Sequence, residues 1–171
     1  MLITQIAVCE VLAPQMGLKA MSDLILAAWN SRGCNSSSRA RHITEFLRKF
    51  KVSIIGVLET KIESDAEPSF HSRFCPSWPY VSNCSATERG RIWLTWDTSV
   101  VDIRILHVYR QFIHVIVHCR DSRPEFLATF VYGSNSRTTR EMLWADLSLL
   151  PNLRTCAWIL LPLRSPSVAK P

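Results

Sequence analysis

No run of eighteen apolar residues occurs in the 171-residue chain, so no segment is expected to cross a membrane as a helix. The six cysteines, at positions 9, 34, 75, 84, 119 and 156, contain no C-x-x-C pair, which argues against a zinc site. No basic segment precedes the apolar start "MLITQIAVCEVLAPQMGLKA", and Glu10 and Pro14 interrupt it, which argues against a secretory signal. The thiols are therefore expected to be reduced and mostly buried, in the nucleus or cytoplasm. There is no internal repeat and no low-complexity tract.

What is present is a globular composition, with 47% apolar and 20% charged residues, enough for one domain with a sizeable core. The net charge of +6 suits a polyanionic partner such as nucleic acid without requiring one. Residues 1–20 read as a leader of unknown role, 21–161 as the domain, and 162–171 as an unrelated, proline-containing tail.

"LILAAW", at 24–29, is an apolar run ended by the turn-forming "NSRG" and predicts a buried strand. Ile43, Phe46, Leu47 and Phe50 follow at helical spacing, with serines at 36–38 available for capping. Arg48 and Lys49 fall in the last turn, where cations suit the helix dipole. "VSIIGVL", at 52–58, is a second apolar strand. Strand, helix and strand in this space predict two parallel neighbours, both ending at one rim of a sheet. Asn30 and Glu59 are thereby carried to that rim, where α/β sheets usually bind ligands.

Segment 60–89 is polar and reads as loop with a short helix. "GRIWLTW", "VVDIRILHV", "QFIHVIVHCR" and "EFLATFVY" alternate or run apolar and predict an antiparallel meander. Leu143, Leu147 and Leu150 return to helical spacing, and Trp158–Leu161 reads as a final buried strand.

Several residues could carry chemistry. A carboxylate such as Glu59 suits magnesium, and Asn30 beside it can position a phosphate oxygen or a metal-bound water. Tyr132 and Asn135, in "FVYGSN", can donate to a phosphoryl oxygen, although a tyrosine at a strand end beside a turn is commonly only a core cap. Arg137 and Arg140 open the later helix, placed to meet a phosphate backbone. His114 and His118 stand about 13 Å apart on an extended strand, too far for one metal. His42, His71 and His107 have no evident partner, and all five histidines are expected at the surface or half-buried. Trp93, Trp96 and Trp144 are expected in the core. Arg39, Arg41, Arg48, Lys49 and Lys51 are expected mostly on a solvated helix face.

"AWNSRG", "GVLETK", "GRIWLTWD", "FVYGSN" and "REMLWADL" occur in an order that resembles the endonuclease/exonuclease/phosphatase family. More narrowly, the chain resembles the apurinic-type endonuclease domain of plant non-LTR (LINE-type) retrotransposons, encoded beside a reverse transcriptase. The resemblance spans about residues 24–161. It implies an α/β (α+β) fold: a four-layer, deoxyribonuclease I-like sandwich of two mixed sheets with helices outside. It implies Mg2+-dependent hydrolysis of a phosphodiester in DNA, with no small-molecule cofactor. By position, Asn30 matches a metal-site asparagine and Glu59 the metal-binding glutamate. Tyr132 matches the tyrosine on the scissile phosphate, and Asn135 a supporting asparagine.

In that family the strand after the "LW" helix runs into Gly-Asp-x-Asn, and a Ser-Asp-His motif follows later. Here "AWILL" runs into "PLRSPSVAKP", and both motifs are absent. The chain is thus expected to be a partial sandwich, its second half missing, and catalytically inactive. The alternative is a non-catalytic nucleic-acid-binding or protein-interaction remnant. Either way, a central strand such as Trp158–Leu161 is expected to become an exposed edge.

Overall fold

The structure, a computed structural model, describes residues 6–11, 24–33, 37–87, 90–150 and 157–164. Ile6–Val11 (β1) pairs antiparallel with Leu24–Asn30 (β2), Ile6 opposite Trp29 and Val11 opposite Leu24. The segment read as a leader therefore contributes a strand. The chain then forms a helix, Ser37–Phe50 (α1), and returns in Ile54–Ile62 (β3), parallel to β2 as the apolar spacing predicts. Of the α1 stripe, Ile43 and Leu47 are buried, and Phe46 meets Trp29 edge-on at 5.0 Å. Phe50, the last residue of the helix, stays exposed. Of the serines at 36–38 available for capping, Ser36 lies outside the described residues and Ser37 begins the helix.

The polar middle holds a 3₁₀ turn, Ser64–Ala66, then the short helix Glu67–Phe74 (α2), which buries Phe70 and Phe74. Tyr80–Ser82 (β4), a second 3₁₀ turn at Cys84–Ala86, and Gly90–Trp96 (β5) follow. β5 runs antiparallel to both β3 and β4, and the first sheet has the order β1-β2-β3-β5-β4.

Val101–Val108 (β6), Phe112–Cys119 (β7) and Phe126–Gly133 (β8) form an antiparallel meander. After the helix Arg137–Ser148 (α3), Trp158–Arg164 (β9) joins β8 in parallel, giving the second sheet the order β6-β7-β8-β9. The expected four-strand meander thus loses its first member, because β5 belongs to the other sheet. The turn between β5 and β6 is a crossing between sheets. Val100 and Val101 N–H groups donate to the Asp97 carbonyl, and Ser99 N–H donates to its carboxylate. Alternation specifies a half-buried strand but not its neighbour, so the sequence pattern could not separate the two.

The sheets face each other across one core, in which Leu26, Ile54, Leu58 and Leu94 of the first meet Val115, Ala128 and Phe130 of the second. Gly56 permits a close approach, since a Cβ there would lie 2.4 Å from the Phe130 ring. α1 and α2 cover the outside of the first sheet over Ala27, Ile55, Val57 and Trp93. α3 covers the second over Phe112 and Val131. The architecture is therefore helix, sheet, sheet, helix. Among the described residues no helix is long and apolar enough to cross a membrane.

Two expectations about single residues change. Trp144 lies on the outer side of α3, 58% exposed, because the helix turns Leu143, Leu147 and Leu150 inward instead. His114 is fully buried on the outer side of the second sheet, where Thr129 Oγ1 lies 2.7 Å from its Nδ1 and the Trp158 indole covers it. Burial, helped by neighbouring His107, holds its pKa down at about 4. Trp158–Leu161, an apolar strand expected to be left as an exposed edge, does lie in the edge strand β9 and alternates there: Leu161 is buried, whereas Trp158 and Leu160 are 39% and 41% exposed.

The described cysteines are free, with Cys75 and Cys84 buried and Cys9 and Cys119 half-buried. Burial pushes the Cys75 thiol up to about 12, so it stays protonated and unreactive.

Candidate phosphate and metal site

β2 and β3 end side by side, with Asn30 paired to Leu58, the residue before Glu59. The chain leaving β2 is stitched across that end. Ser31 N–H donates to the Leu58 carbonyl at 2.9 Å, and Gly33 N–H to the Glu59 carbonyl at 2.8 Å. Asn30 and Glu59 are only 2% and 8% exposed.

Strict alternation along β3 would send Glu59 outward with Ile55 and Val57, under the helices. Instead the β3–β5 register slips between Leu58 and Ile62, and Glu59 and Lys61 both hold φ of +57°. Left-handed backbone at a non-glycine residue costs on the order of 1 kcal/mol and persists only where the surroundings enforce it. The bulge re-aims the Glu59 carboxylate into a cavity of about 590 Å³ that it shares with Tyr132 of the second sheet.

The polar atoms here are incompletely satisfied. Asn30 Oδ1 accepts from Arg32 N–H at 3.0 Å, and Lys61 Nζ stands 3.9 Å from Glu59 Oε1. Asn30 Nδ2 and Glu59 Oε2 are buried with no hydrogen-bond partner among the described residues. A buried, unpartnered carboxylate oxygen is costly and suits a cation. Among the described residues no group of three or more His, Cys, Asp or Glu side chains could cage a metal. One carboxylate with an unpartnered oxygen is a donor compatible with a hard cation such as Mg2+, which binds through one or two carboxylates and keeps waters and phosphate oxygens in its shell.

Tyr132 ends the inner row of β8 and is buried. Desolvation and the Glu59 charge raise its pKa, against the pull of Arg91, whose guanidinium lies 5.8 Å from the ring centroid. The phenol is thus a hydrogen-bond donor at neutral pH. Gln111, after the β6–β7 turn, ties the next loop in place. Its main-chain carbonyl accepts from Tyr132 N–H, its Oε1 accepts from Ser134 N–H, and its Nε2 donates to the Thr139 carbonyl.

Asn135 lies in that loop, exposed and lining the cavity. Arg140 donates to the Ser134 and Asn135 carbonyls, both at 2.8 Å, so its guanidinium is committed to holding the loop. Arg137 is exposed, pairs with Glu141 at 3.0 Å and does not line the cavity. The arginines that do line it are Arg91 and Arg110, which sequence reasoning missed. Arg91 precedes the apolar run of β5, and Arg110 sits in the β6–β7 turn. Neither has a local signal, because their convergence follows from the facing of the two sheets.

No protein-family model matches the chain, and neither does any curated protein. Solved structures do match. An endonuclease/exonuclease/phosphatase family protein from Bacteroides thetaiotaomicron superposes with a TM-score of 0.60 at 15% identity over 81% of this chain. The same organism's mannosyl-6-phosphatase gives 0.59 at 16% over 81%. D. rerio TDP2, in complex with single-strand DNA product, gives 0.54 at 12% over 84%. The chain spans 62%, 64% and 60% of those three structures. The four layers and the facing sheets are thus a partial form of the endonuclease/exonuclease/phosphatase, deoxyribonuclease I-like fold.

Proposed function

We propose that the chain is the metal- and substrate-binding part of a magnesium-dependent phosphodiesterase site of the endonuclease type, derived from a non-LTR retrotransposon. We further propose that these 171 residues bind nucleic acid without cutting it. The observation that carries the reading is the buried, unpartnered Glu59 oxygen in the cavity, with Asn30, which does not itself line that cavity, ending the parallel neighbouring strand. The names of two structural neighbours favour a phosphate-ester ligand: one is complexed with a DNA product, the other is a sugar phosphatase. The five ordered motifs favour the retrotransposon origin.

In this site Glu59 would hold Mg2+, which when bound supplies charge stabilisation to a phosphoryl oxygen, and Asn30 could add its Oδ1 from the end of the neighbouring strand, although that oxygen already accepts from Arg32 N–H. Tyr132, kept protonated, donates a hydrogen bond to the phosphate, and Asn135 offers its amide from the adjoining loop. Lys61, Arg91 and Arg110 make the cavity attractive to anions. Hydrolysis also needs a group to orient or deprotonate the attacking water, worth about 10²–10⁴ in rate. None of the described residues lining the cavity is a histidine or aspartate. Cleavage is therefore expected to be absent while binding persists.

Nicking of supercoiled plasmid with Mg2+, compared between this chain and Glu59→Ala, tests the reading together with a DNA-binding assay. The expected result is salt-sensitive binding with no metal-dependent nicking. Nicking that Glu59→Ala abolishes would overturn the inactivity, and absence of binding would overturn the function. The origin is tested by the nucleotide sequence past the Leu161 codon, where another frame is expected to encode Gly-Asp-x-Asn and then Ser-Asp-His.

A further inference from the structure

Arg91 and Arg110 line the cavity from different sheets, yet one side chain holds the main chain of both. Asn83 is fully buried between the sheets. Its Oδ1 accepts from the N–H groups of Arg91 and Ile92, both at 2.8 Å. Its Nδ2 donates to the carbonyls of Tyr109 and Arg110 at 3.1 and 2.9 Å. The amide thus spends two donors and two acceptor sites on holding β5 to the β6–β7 turn at the mouth of the cavity. A buried polar group with all partners satisfied specifies geometry.

The charges so placed are unbalanced. Lys61 stands beside Glu59, the one carboxylate among the described lining residues. Neither arginine has an ion pair or a hydrogen bond from its guanidinium among the described residues, and Arg91 has only the Tyr132 ring. Lys61, Arg91 and Arg110 thus set three cationic side chains against one carboxylate, an excess that favours more than one phosphate group. A cavity of about 590 Å³ is large enough for a nucleotide and its neighbour's phosphate.

We propose that Arg91 and Arg110, their main chain held by Asn83, form a second anion subsite for a phosphate adjoining the one at Glu59. The ligand is then a strand with successive phosphates, a single-stranded oligonucleotide, and not an isolated phosphomonoester. The inference rests on the phosphodiesterase reading for the first phosphate, but its test varies different residues.

The probe is a fluorescent oligothymidylate of about ten nucleotides, within the usual size of single-strand sites. Its anisotropy is followed from low to high salt with the full chain, Arg91→Gln, Arg110→Gln and a control, Arg48→Gln. Arg48 lies in the last turn of α1 and does not line the cavity. Each cavity variant is expected to bind about three- to tenfold more weakly, and its slope of log affinity against log salt to fall by about 0.7. The control is expected to keep the slope. Cavity variants that match the control, thymidine monophosphate binding as tightly as the oligonucleotide, or no binding at all would each overturn the subsite. A lowered slope that is indifferent to Mg2+ and to Glu59→Gln would leave the subsite standing and sink the metal site.

Discussion

Glu59 keeps a left-handed backbone inside a strand and a buried oxygen without a partner, two costs that a residue serving only the fold would not combine. Removing the charge while keeping the shape should relieve the second cost. Glu59→Gln is expected to raise unfolding free energy by about 1 kcal/mol in denaturant titrations without metal. A loss of stability would mean that the Lys61 contact outweighs desolvation. His114 makes the opposite kind of prediction. Unfolded, its imidazole titrates near 6.5; folded, burial holds it at about 4. Between those values the unfolded chain binds more protons, so stability should fall as pH drops from 6.5 towards 4. The loss should be on the order of 3 kcal/mol, with no contribution from this group above 6.5. Denaturant midpoints for the wild-type chain and His114→Gln should therefore diverge at neutral pH and converge towards pH 4. Parallel curves would contradict the assignment.

Among the elements, β3 and β8 meet with Gly56 directly under the Phe130 ring. Gly56→Ala should cost about 1–3 kcal/mol, because the new methyl meets the Phe130 ring. Adding Phe130→Leu should recover part of that loss, which a purely conformational glycine effect would not do. β9 poses a different problem, since it is an edge strand with Trp158 and Leu160 partly exposed. Leu160→Lys should lower concentration-dependent association in light scattering while leaving the unfolding midpoint nearly unchanged. How much of this was legible in sequence differs by element. The β2–α1–β3 unit was, because apolar runs and a helical stripe are local signals. The bulge at Glu59 was not, because it comes from a register slip against β5. The crossing at Asp97 was not, because alternation is the same whichever sheet a strand joins. Trp144 and His114 were misplaced for a related reason: helix rotation and the cover given by Trp158 are set by distant segments.

At the scale of the whole molecule, two sheets meet so that four side chains from different segments share one cavity: Glu59, Arg91, Arg110 and Tyr132. Asn30 and Glu59 are the residues proposed to hold a cation, and the phosphodiesterase reading depends on them. Mn2+ is a spectroscopic stand-in for Mg2+ with the same preference for oxygen ligands. The most direct test is a Mn2+ titration of the chain followed by electron paramagnetic resonance, repeated on Glu59→Gln and Asn30→Ala. The account predicts a single saturable site, lost in Glu59→Gln and weakened about tenfold in Asn30→Ala. Equal Mn2+ binding by the wild-type chain and Glu59→Gln, or no binding by either, would contradict it.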